Sequence, residues 1–243
     1  MKRLALLRFA DPLLLPVVLL LAACGSPALS EEARVVPPPA LDVPLAAAHA
    51  KQTAVFAGGC FWGMQWVFEH VRGVTDVTAG YSGGDRATAH YERVSEGDTG
   101  HAESIEVKFD PSQVSYGQLL RVYFSVATDP TELNRQGPDT GAQYRGVIFY
   151  ADPQQEKIAR AYVAQLGAAH AYAAPIVTQL EPFRAFYPAE DYHQDYARLN
   201  PDATYIAIND VPKVTNLQRL LPQLYRASPV THVGNGAIPV QAL

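Results

Sequence analysis

A pair of glycines between two different apolar patterns constrains the fold most strongly. Residues 52–58 form a short apolar run with β-type residues, and Gly58 and Gly59 interrupt it just before Cys60. Beyond this break, apolar side chains recur at steps of three, four and three residues, at Phe61, Met64, Phe68 and Val71. This spacing is that of one helix face, which Gly73 is expected to end. The pattern predicts a strand that enters a turn, with Cys60 at the start of a helix.

The rest of the chain alternates between strand and helix signals. Strands are predicted over 105–109, 147–150 and 176–180, where β-branched and aromatic residues recur. One helix is predicted after a capping box of Ser115 and Gln118, and another runs from Asp152-Pro153 to about Leu166. Shorter helices are predicted over 190–198 and 214–225. The alternation indicates α/β layering.

The first 23 residues have the pattern of a secretory signal peptide. Lys2, Arg3 and Arg8 precede an apolar run over 13–23 that is too short to span a bilayer. The run ends in Leu-Ala-Ala before Cys24, which resembles the lipobox of bacterial lipoproteins. In such proteins the cysteine sulfur carries diacylglycerol and the residue becomes the new N-terminus. Lipidation of Cys24 is therefore expected, and the alternative is an ordinary signal peptide that contains a cysteine.

The following residues indicate a connection between a membrane and a folded domain. Residues 24–50 are rich in proline, alanine and serine, so a lipidated N-terminus and a flexible, solvated linker are expected there. Gly25, in place of an aspartate after the anchor, favours the outer membrane of a Gram-negative cell envelope, on its periplasmic side. A single folded domain is expected over 51–226, followed by a frayed tail over 227–243.

Charge and cysteine content exclude several classes of function. The 19 Lys and Arg residues against 24 Asp and Glu residues give a net charge of -5, with no basic excess for a nucleic-acid partner. Two cysteines cannot form a disulfide framework or a four-cysteine zinc site. His90, His101 and Glu103 lack the spacing of paired zinc ligands, so no metal is expected. No glycine-rich phosphate loop follows a strand, so no nucleotide cofactor is expected either.

Cys60 is the candidate nucleophile. At a helix N-terminus, unpaired amide N–H groups and the helix dipole favour the reactive thiolate. Phe61 and Trp62 place two apolar surfaces beside the sulfur, suited to a small apolar group. The alternative at this point is a buried structural cysteine packed by aromatic side chains.

Further short motifs accompany Gly59-Cys60-Phe61-Trp62-Gly63 and carry a family resemblance. They are Gly-Tyr-Ser-Gly-Gly at 80–84, Tyr-Glu-Arg-Val at 91–94, Gly-Asp-Thr-Gly-His-Ala-Glu at 97–103, Asp-Pro-Thr at 129–131, Asn-Arg-Gln-Gly at 134–137, Asp139, Gln-Tyr-Arg at 143–145 and Tyr-His-Gln at 192–194. In this order they resemble the peptide methionine sulfoxide reductase A family over residues 52–212. The resemblance implies a single α/β domain, with a ferredoxin-like core around a mixed sheet and long coil segments.

The resemblance also implies the chemistry and the residues that perform it. The thiolate of Cys60 would attack the sulfur of the S epimer of methionine sulfoxide, free or in proteins, and keep its oxygen as a sulfenic acid. Glu103 would donate a proton to that oxygen, which the hydroxyls of Tyr91 and Tyr144 would hold. Asp139 would organise polar groups around the site. Phe61 and Trp62 would enclose the S-methyl group of the substrate.

One departure from the family pattern decides how the enzyme would be regenerated. Many members carry resolving cysteines near the C-terminus, but residues 200–243 contain none. A one-cysteine enzyme is therefore expected, regenerated without a cofactor by an external thiol such as a thioredoxin, a glutaredoxin or a small thiol. It is expected to be a monomer held at the membrane by its lipid.

Two interpretations from other functional classes stay open in the sequence. In the first, Cys60 with His193 as base and Asp191 or Asp139 as orienting acid would form the triad of a cysteine hydrolase or acyltransferase. In the second, the chain is a non-catalytic binding lipoprotein. The adduct on Cys60 after one turnover separates the first from a reductase, and replacement of Cys60 by serine separates the second.

Overall fold

The computed structural model describes residues 1, 33–47 and 51–232. The strands are β1 (Gln52–Ala57), β2 (Val74–Ser82), β3 (Ala102–Phe109), β4 (Arg135–Gln136), β5 (Asp139–Thr140), β6 (Val147–Tyr150), β7 (Gln179–Pro182) and β8 (Phe186–Pro188). The α-helices are α1 (Phe61–Glu69), α2 (Tyr91–Val94), α3 (Tyr116–Val122), α4 (Pro153–Ala168), α5 (Tyr196–Leu199), α6 (Thr204–Asn209) and α7 (Val211–Leu220). A π-helical segment, Tyr123–Ala127, extends α3, and 3₁₀ turns occupy Arg86–Thr88, Ala142–Tyr144 and Asp191–His193.

A mixed sheet of six strands, in the order β7-β6-β1-β3-β2-β8, organises the domain. Neighbouring strands are antiparallel except for the parallel pair β6 and β7. The units β1-α1-β2 and β3-α3-β6 each cross over one strand, which gives the central order β6-β1-β3-β2. This is a ferredoxin-like core, as the resemblance implied. The edge strands β7 and β8 are joined by residues 183–185 alone, so the sheet is curled.

The hydrophobic core lies between the sheet and the helices and fixes the end of β1. The ring of Phe56, on β1, lies 5.5 Å from that of Phe68 on α1 and 5.6 Å from that of Tyr123 on the π-helical segment. All three side chains are completely buried. The hydroxyl of Tyr123 also donates to the carbonyl of Ala57 at 2.8 Å. Packing and this hydrogen bond therefore hold the last residue of β1, from which the chain turns towards Cys60.

Residues 33–47 form an N-terminal strap along the helical face, where a solvated linker was expected. Val36 is buried, and the backbone N–H of Arg34 donates to the carbonyl of Ser125 at 3.0 Å. Side chains of the domain bind the strap backbone in turn: Arg121 donates to the Val36 carbonyl at 3.0 Å, and Tyr162 to the Pro37 carbonyl at 2.6 Å. Because its polar backbone groups find partners on α3 and α4, this proline-rich segment docks despite having no helical or strand period.

A half-buried carboxylate anchors the other half of the strap. Asp42 accepts hydrogen bonds from the Ser115 hydroxyl and from the Gly117 N–H, the latter at 3.0 Å, at the start of α3. A side chain at position 117 would meet Asp42 at 2.5 Å and Pro39 at 2.7 Å. Gly117 therefore leaves the space that the strap occupies, and Asp42 extends the capping of α3 that Ser115 and Gln118 provide.

Several predicted elements are confirmed, and others differ for identifiable reasons. The strand at 52–57, the capping box, β6 and α4 lie where the local signals indicated them. The strand expected over 176–180 begins later, at Gln179, and the helix expected over 190–198 is divided because Asp195 adopts a left-handed φ of 55°. Strand β2 was not predicted, because it is buried on both faces and shows no alternation.

Some sequence expectations fall on residues that the structure does not describe. These are the signal peptide beyond residue 1, the lipidation site Cys24 and the tail beyond residue 232. The described start of the tail is held by the domain, since the Val230 N–H donates to the Glu69 carbonyl at 3.0 Å and the His232 N–H to Asp195 at 3.2 Å. Within the described ranges, no helix is both long enough and apolar enough to cross a membrane.

Candidate active site

Cys60 is the N-cap residue of α1, at the end of the turn that follows β1. Gly59 has a left-handed φ of 97°, and a side chain there would meet Gln136 at 2.6 Å. A residue with a Cβ would therefore be strained and would push the turn away from Gln136. The backbone N–H of Trp62, in the first turn of α1, acts to lower the pKa of the Cys60 thiol, as expected for a side chain at a helix N-terminus. The predicted position of the cysteine is thus confirmed.

The electrostatic environment of Cys60 differs from the expectation that its thiolate is favoured. Burial, followed by the negative charges of Glu103, Asp210 and Asp139, raises the pKa of the thiol well above its usual range, against the lowering effect of the Trp62 N–H. Cys60 itself keeps partial exposure to solvent. The helix terminus contributes in the expected direction, but burial and the surrounding acids outweigh it, so the resting group is a thiol.

Glu103 lies directly beside the turn that carries Cys60. It belongs to β3, is only 3% exposed, and its Oε2 accepts the backbone N–H of Phe61 at 3.0 Å. Burial raises the pKa of this carboxyl to about 8, against the lowering effect of the Phe61 N–H and with a smaller raising effect from Asp139. The carboxyl is therefore largely protonated at neutral pH and has a proton to donate.

Tyr91 and Tyr144 face the same space from two separate segments. Tyr91 is the first residue of α2, and Tyr144 ends the 3₁₀ turn after β5. Burial raises the pKa of each hydroxyl, and Glu103 and Cys60 contribute to both shifts. The two tyrosines, the thiol and the carboxyl are thus brought into electrostatic reach of one another, as the predicted site requires. Both phenols stay protonated and can act as hydrogen-bond donors.

Asp139 is also part of this cluster, although its sequence was equally typical of a turn. It lies on β5 and accepts a hydrogen bond from the hydroxyl of Tyr205. Burial raises the pKa of Asp139, while the Tyr205 hydroxyl and the charge of Lys213 act in the opposite direction. Asp139 in turn raises the pKa of Glu103, Tyr144 and Cys60. The acid therefore lies among the polar groups that it was expected to organise.

An aromatic wall borders the sulfur on its apolar side. The rings of Phe61 and Trp62 lie 6.5 Å apart at the first two positions of α1. Trp62 stacks on Tyr196 with a centroid distance of 4.0 Å and meets the edge of Tyr205 at 6.2 Å. The ring of Phe61 packs 5.8 Å from that of the buried Tyr81. The indole is therefore clamped in one orientation beside Cys60.

His193 supports this wall and does not have the partners of a catalytic base. Its Nδ1 accepts the indole N–H of Trp62 at 3.1 Å, and its ring lies 5.0 Å from that of Phe61. Burial lowers the pKa of His193. Neither Asp191 nor Asp139 is its hydrogen-bond partner, because the Nδ1 position that an orienting acid would need is occupied by Trp62. The hydrolase triad of Cys60, His193 and an aspartate is therefore not assembled.

Four residues of the site were missed by sequence reasoning. Tyr196 and Tyr205 contact Trp62, Asp210 raises the pKa of Cys60, and Glu190 binds the backbone of Tyr91. Tyr196 and Glu190 lie within a few residues of the Tyr-His-Gln motif, which marks their region of the sequence but not their partners. Tyr205 and Asp210 carry no local signal. Among the described residues, no group of three or more histidine, cysteine or acidic side chains could hold a metal ion.

Comparison with protein families gives a match over most of the folded part. Residues 52–223 match the family described as peptide methionine sulfoxide reductase. The chain is 57% identical over 184 residues to peptide methionine sulfoxide reductase MsrA 2 of Mesorhizobium japonicum, covering 76% of this chain and 94% of that protein. It is 51% identical over 199 residues to MsrA 2 of a Synechocystis strain, covering 81% of this chain and 93% of that protein. The strap, over 33–47, precedes the family match.

Solved structures show the same fold. Mxr1 of Saccharomyces cerevisiae in reduced form has a TM-score of 0.58 at 28% sequence identity, over 68% of this chain and 98% of that one. Methionine sulfoxide reductase A of Corynebacterium diphtheriae has a TM-score of 0.53 at 36% identity, over 63% of this chain and 76% of that one. The mixed α/β domain around a curled sheet is therefore common to this chain and these structures.

Proposed function

The chain belongs to the peptide methionine sulfoxide reductase family, and we propose that Cys60 is the nucleophile that accepts the oxygen of the S epimer of methionine sulfoxide, free or in proteins. One observation carries this assignment: Glu103, with its pKa held at about 8, accepts the N–H of Phe61 immediately after Cys60. A nucleophilic sulfur and a neutral acid beside it are the two groups that this reduction needs.

In the proposed first step, one oxygen atom moves from the substrate to Cys60. The Cys60 sulfur attacks the sulfoxide sulfur while Glu103 gives its proton to the sulfoxide oxygen, and the thiol proton replaces it on Glu103. The resulting hydroxyl transfers to the Cys60 sulfur, which breaks both the S–O bond of the substrate and the new bond between the two sulfurs, releases methionine and leaves a sulfenic acid. Cys60 loses the two electrons that the substrate sulfur gains.

Fixed donors and an aromatic wall position the substrate in this proposal. The protonated hydroxyls of Tyr91 and Tyr144 hold the oxygen as negative charge develops on it, which is electrostatic stabilisation by a preorganised site. Phe61 and Trp62 enclose the S-methyl group, where a polar substituent would lose its hydration. Asp139, with the Tyr205 hydroxyl bound to it, orders the polar side of the pocket.

Regeneration of Cys60 is proposed to depend on an external thiol. Cys60 is the only cysteine among the described residues, and Cys24 is the only other one in the sequence. A thiol of a thioredoxin-like or glutaredoxin-like protein, or a small thiol, attacks the sulfenic sulfur and releases water. A second thiol then reduces the mixed disulfide and restores Cys60. The partial exposure of Cys60 gives such a thiol access.

A single turnover without reductant tests the assignment. The protein is mixed with one epimer of methionine sulfoxide, and both the methionine released and the mass of the peptide that contains Cys60 are measured. We expect one methionine per protein and one added oxygen atom on Cys60 with the S epimer, and neither with Cys60→Ser. An acyl adduct, or no reaction of either epimer when ample dithiol is present, would refute the proposal.

We also propose that the protein is a monomeric lipoprotein of the bacterial cell envelope, anchored through Cys24 on the periplasmic side of the outer membrane after removal of residues 1–23. The lipobox-like run before Cys24 supports this proposal. Because the strap is docked from Ala33, residues 25–32 alone would separate the anchor from the folded part. Fully extended, this stretch reaches about 30 Å, so the reductase would act close to the membrane surface.

Fractionation of cells that express the full chain tests the anchoring. We expect the wild-type protein to sediment with outer membranes and to carry a lipid on Cys24, whereas Cys24→Ala is released in soluble form with its activity intact. Size-exclusion chromatography of the Cys24→Ala protein should give one copy per particle. A wild-type protein that is exported yet unlipidated and soluble would contradict the anchoring proposal and leave the reductase assignment unaffected.

A further inference from the structure

Glu190 connects two segments of the active site that are distant in sequence. It follows β8 closely, and its Oε1 accepts the backbone N–H of Tyr91 at 3.0 Å. Its Oε2 accepts the hydroxyl of Tyr81 at 2.9 Å. Burial acts to raise the pKa of Glu190, but hydrogen bonds from the Tyr91 N–H, from its own backbone N–H and from the Tyr81 hydroxyl outweigh it and hold the pKa below its ordinary value. Glu190 is thus an ionised double acceptor.

The first of these hydrogen bonds fixes the helix that carries Tyr91. Helix α2 is a single turn, Tyr91–Val94, and its N-cap residue, His90, provides no side-chain acceptor. The Tyr91 N–H is one of the donors that a helix leaves without an internal partner. Glu190 supplies that partner from another part of the fold, and its negative charge suits a helix N-terminus. The position of Tyr91 therefore depends on Glu190.

The second hydrogen bond ties the same carboxylate to the strand pair that carries the acid. Tyr81 of β2 lies directly opposite Glu103 of β3 in the antiparallel register, and its ring packs 5.8 Å from that of Phe61. Tyr81 is completely buried, so it cannot follow a displaced Glu190. One carboxylate thereby sets the separation between the segment of Tyr91 and the strands that hold Glu103.

His193, which accepts the indole N–H of Trp62, also lies close to Glu190. The indole N–H can only donate, so the Nδ1 of His193 that receives it carries no proton, and the proton lies on Nε2. That Nε2 lies 4.0 Å from Glu190 Oε2, and the His193 ring lies 4.6 Å from the ring of Tyr91. His193 therefore connects the aromatic wall to the ring of Tyr91, and it does so beside Glu190.

From this geometry we infer that Glu190 is a positioning residue of the reductase, which holds Tyr91 where its hydroxyl can meet the sulfoxide oxygen beside Glu103. Glu190 does not need to touch the substrate for this role. The inference rests on the proposed roles of Cys60, Glu103 and Tyr91. If the inference is right, replacing Glu190 slows methionine release only when the Tyr91 hydroxyl is present.

A double-mutant cycle between Glu190 and Tyr91 tests this requirement. The rate of methionine release in a single turnover without reductant is measured for Glu190→Ala, Tyr91→Phe and the double variant, together with Glu190→Gln. A misplaced group can cost up to about 100-fold, so we expect Glu190→Ala to slow the step by roughly 10- to 100-fold. In the Tyr91→Phe background the same change should cost less than about 3-fold. Glu190→Gln keeps an oxygen for the Tyr91 N–H and should stay within about 3-fold of wild type.

Two further variants separate positioning from loss of stability. Asp110→Ala removes a buried carboxylate, which accepts from Ser112 and Gln113 at the opposite end of β3, and should lower stability without slowing the step. If Glu190→Ala does not fold, Glu190→Asp, whose carboxylate is one methylene shorter, enters the same cycle. Equal losses with and without the Tyr91 hydroxyl, or no loss at all, would overturn the inference. A wild-type protein that releases no methionine would instead refute the proposed function.

Discussion

Replacement of Glu103 by glutamine separates the chemistry of this carboxyl from its packing. Glutamine has nearly the same shape, and its side-chain oxygen can still accept the Phe61 N–H that Glu103 accepts at 3.0 Å. It has no acidic proton to give to the sulfoxide oxygen. Loss of general acid catalysis costs about 10²- to 10⁴-fold, so methionine release should slow by that factor while substrate binding changes little.

Glu103→Gln should lower activity but raise stability at neutral pH, because the pKa of Glu103 is raised in the folded protein. Glu103 has a pKa of about 8 in the folded protein against an ordinary value of 4.5. Stability that is fully present below pH 4.5 is therefore lost as the pH rises towards 8, because the unfolded chain releases this proton first. At 1.36 kcal/mol per pH unit, the loss between pH 4.5 and pH 7 is about 3 kcal/mol. Glutamine does not ionise, so the free energy of unfolding of the variant does not fall for this reason as the pH rises.

Urea unfolding of wild type and Glu103→Gln at pH 4.5 and at pH 7 measures the difference. We expect the free energy of unfolding of the variant to gain about 3 kcal/mol relative to wild type over this interval. Glu69→Gln is the matched control, because Glu69 is fully buried with its pKa raised to about 10 by burial and by Asp195, at the other end of α1. The control should show a similar gain in stability and keep its activity. A stability difference for Glu103→Gln that does not vary with pH would refute a neutral Glu103.

Three other substitutions test the remaining parts of the site and the fold. Tyr144→Phe should slow methionine release by roughly 10- to 100-fold with little effect on stability, as measured in single turnover, because one fixed donor is lost; an unchanged rate would remove Tyr144 from the oxygen site. Gly59→Ala, at a φ of 97°, should strain the turn and lower both activity and melting temperature. Gly117→Ala, whose side chain would meet Asp42 at 2.5 Å, should cost about 1–3 kcal/mol and speed hydrogen exchange over 33–47 at unchanged turnover. Its control, Gly167→Ala in α4, meets no atom within 4 Å and should be stabilising; equal effects of the two would contradict the docked strap.

The parts of the fold that could be predicted are those specified by neighbouring residues. The capping box of Ser115 and Gln118, the proline-started helix α4 and the break at Gly59 depend on contacts within a few residues. Strand β2 and the strap depend on distant ones. The strap is ordered by hydrogen bonds such as that between Arg121 and the Val36 carbonyl, across 85 positions of sequence. No local period could indicate that partner.

The candidate site divides in the same way. The predicted polar residues of the site lie close enough to shift one another's pKa: Cys60, Tyr91, Glu103, Asp139 and Tyr144. Glu190 was missed because its partner Tyr91 lies 99 positions away, and the Trp62 clamp was missed because Tyr196 and Tyr205 reach it only in the folded chain. The sequence also predicted a thiolate at Cys60, because the start of helix α1 can be recognised from neighbouring residues. The burial that raises its pKa is a property of the whole domain.

Because the pKa of Cys60 is raised, the thiol must lose its proton during the reaction before the sulfur can act as a nucleophile. With the pKa of Cys60 raised by burial and by nearby acids, and with Glu103 neutral up to about pH 8, the resting site holds both the thiol proton and the carboxyl proton. A free thiolate in this apolar surrounding would be costly, and it would also meet any oxidant that enters. The sulfoxide oxygen is a strong hydrogen-bond acceptor, so it binds the protonated Glu103 and takes its proton as the Cys60 sulfur attacks, and the resulting carboxylate can take the thiol proton. Sulfur then becomes a nucleophile only when a sulfoxide is bound. On this argument the rate of methionine release should fall as the pH rises above 8, although simple alkylation of Cys60 should become faster over the same range.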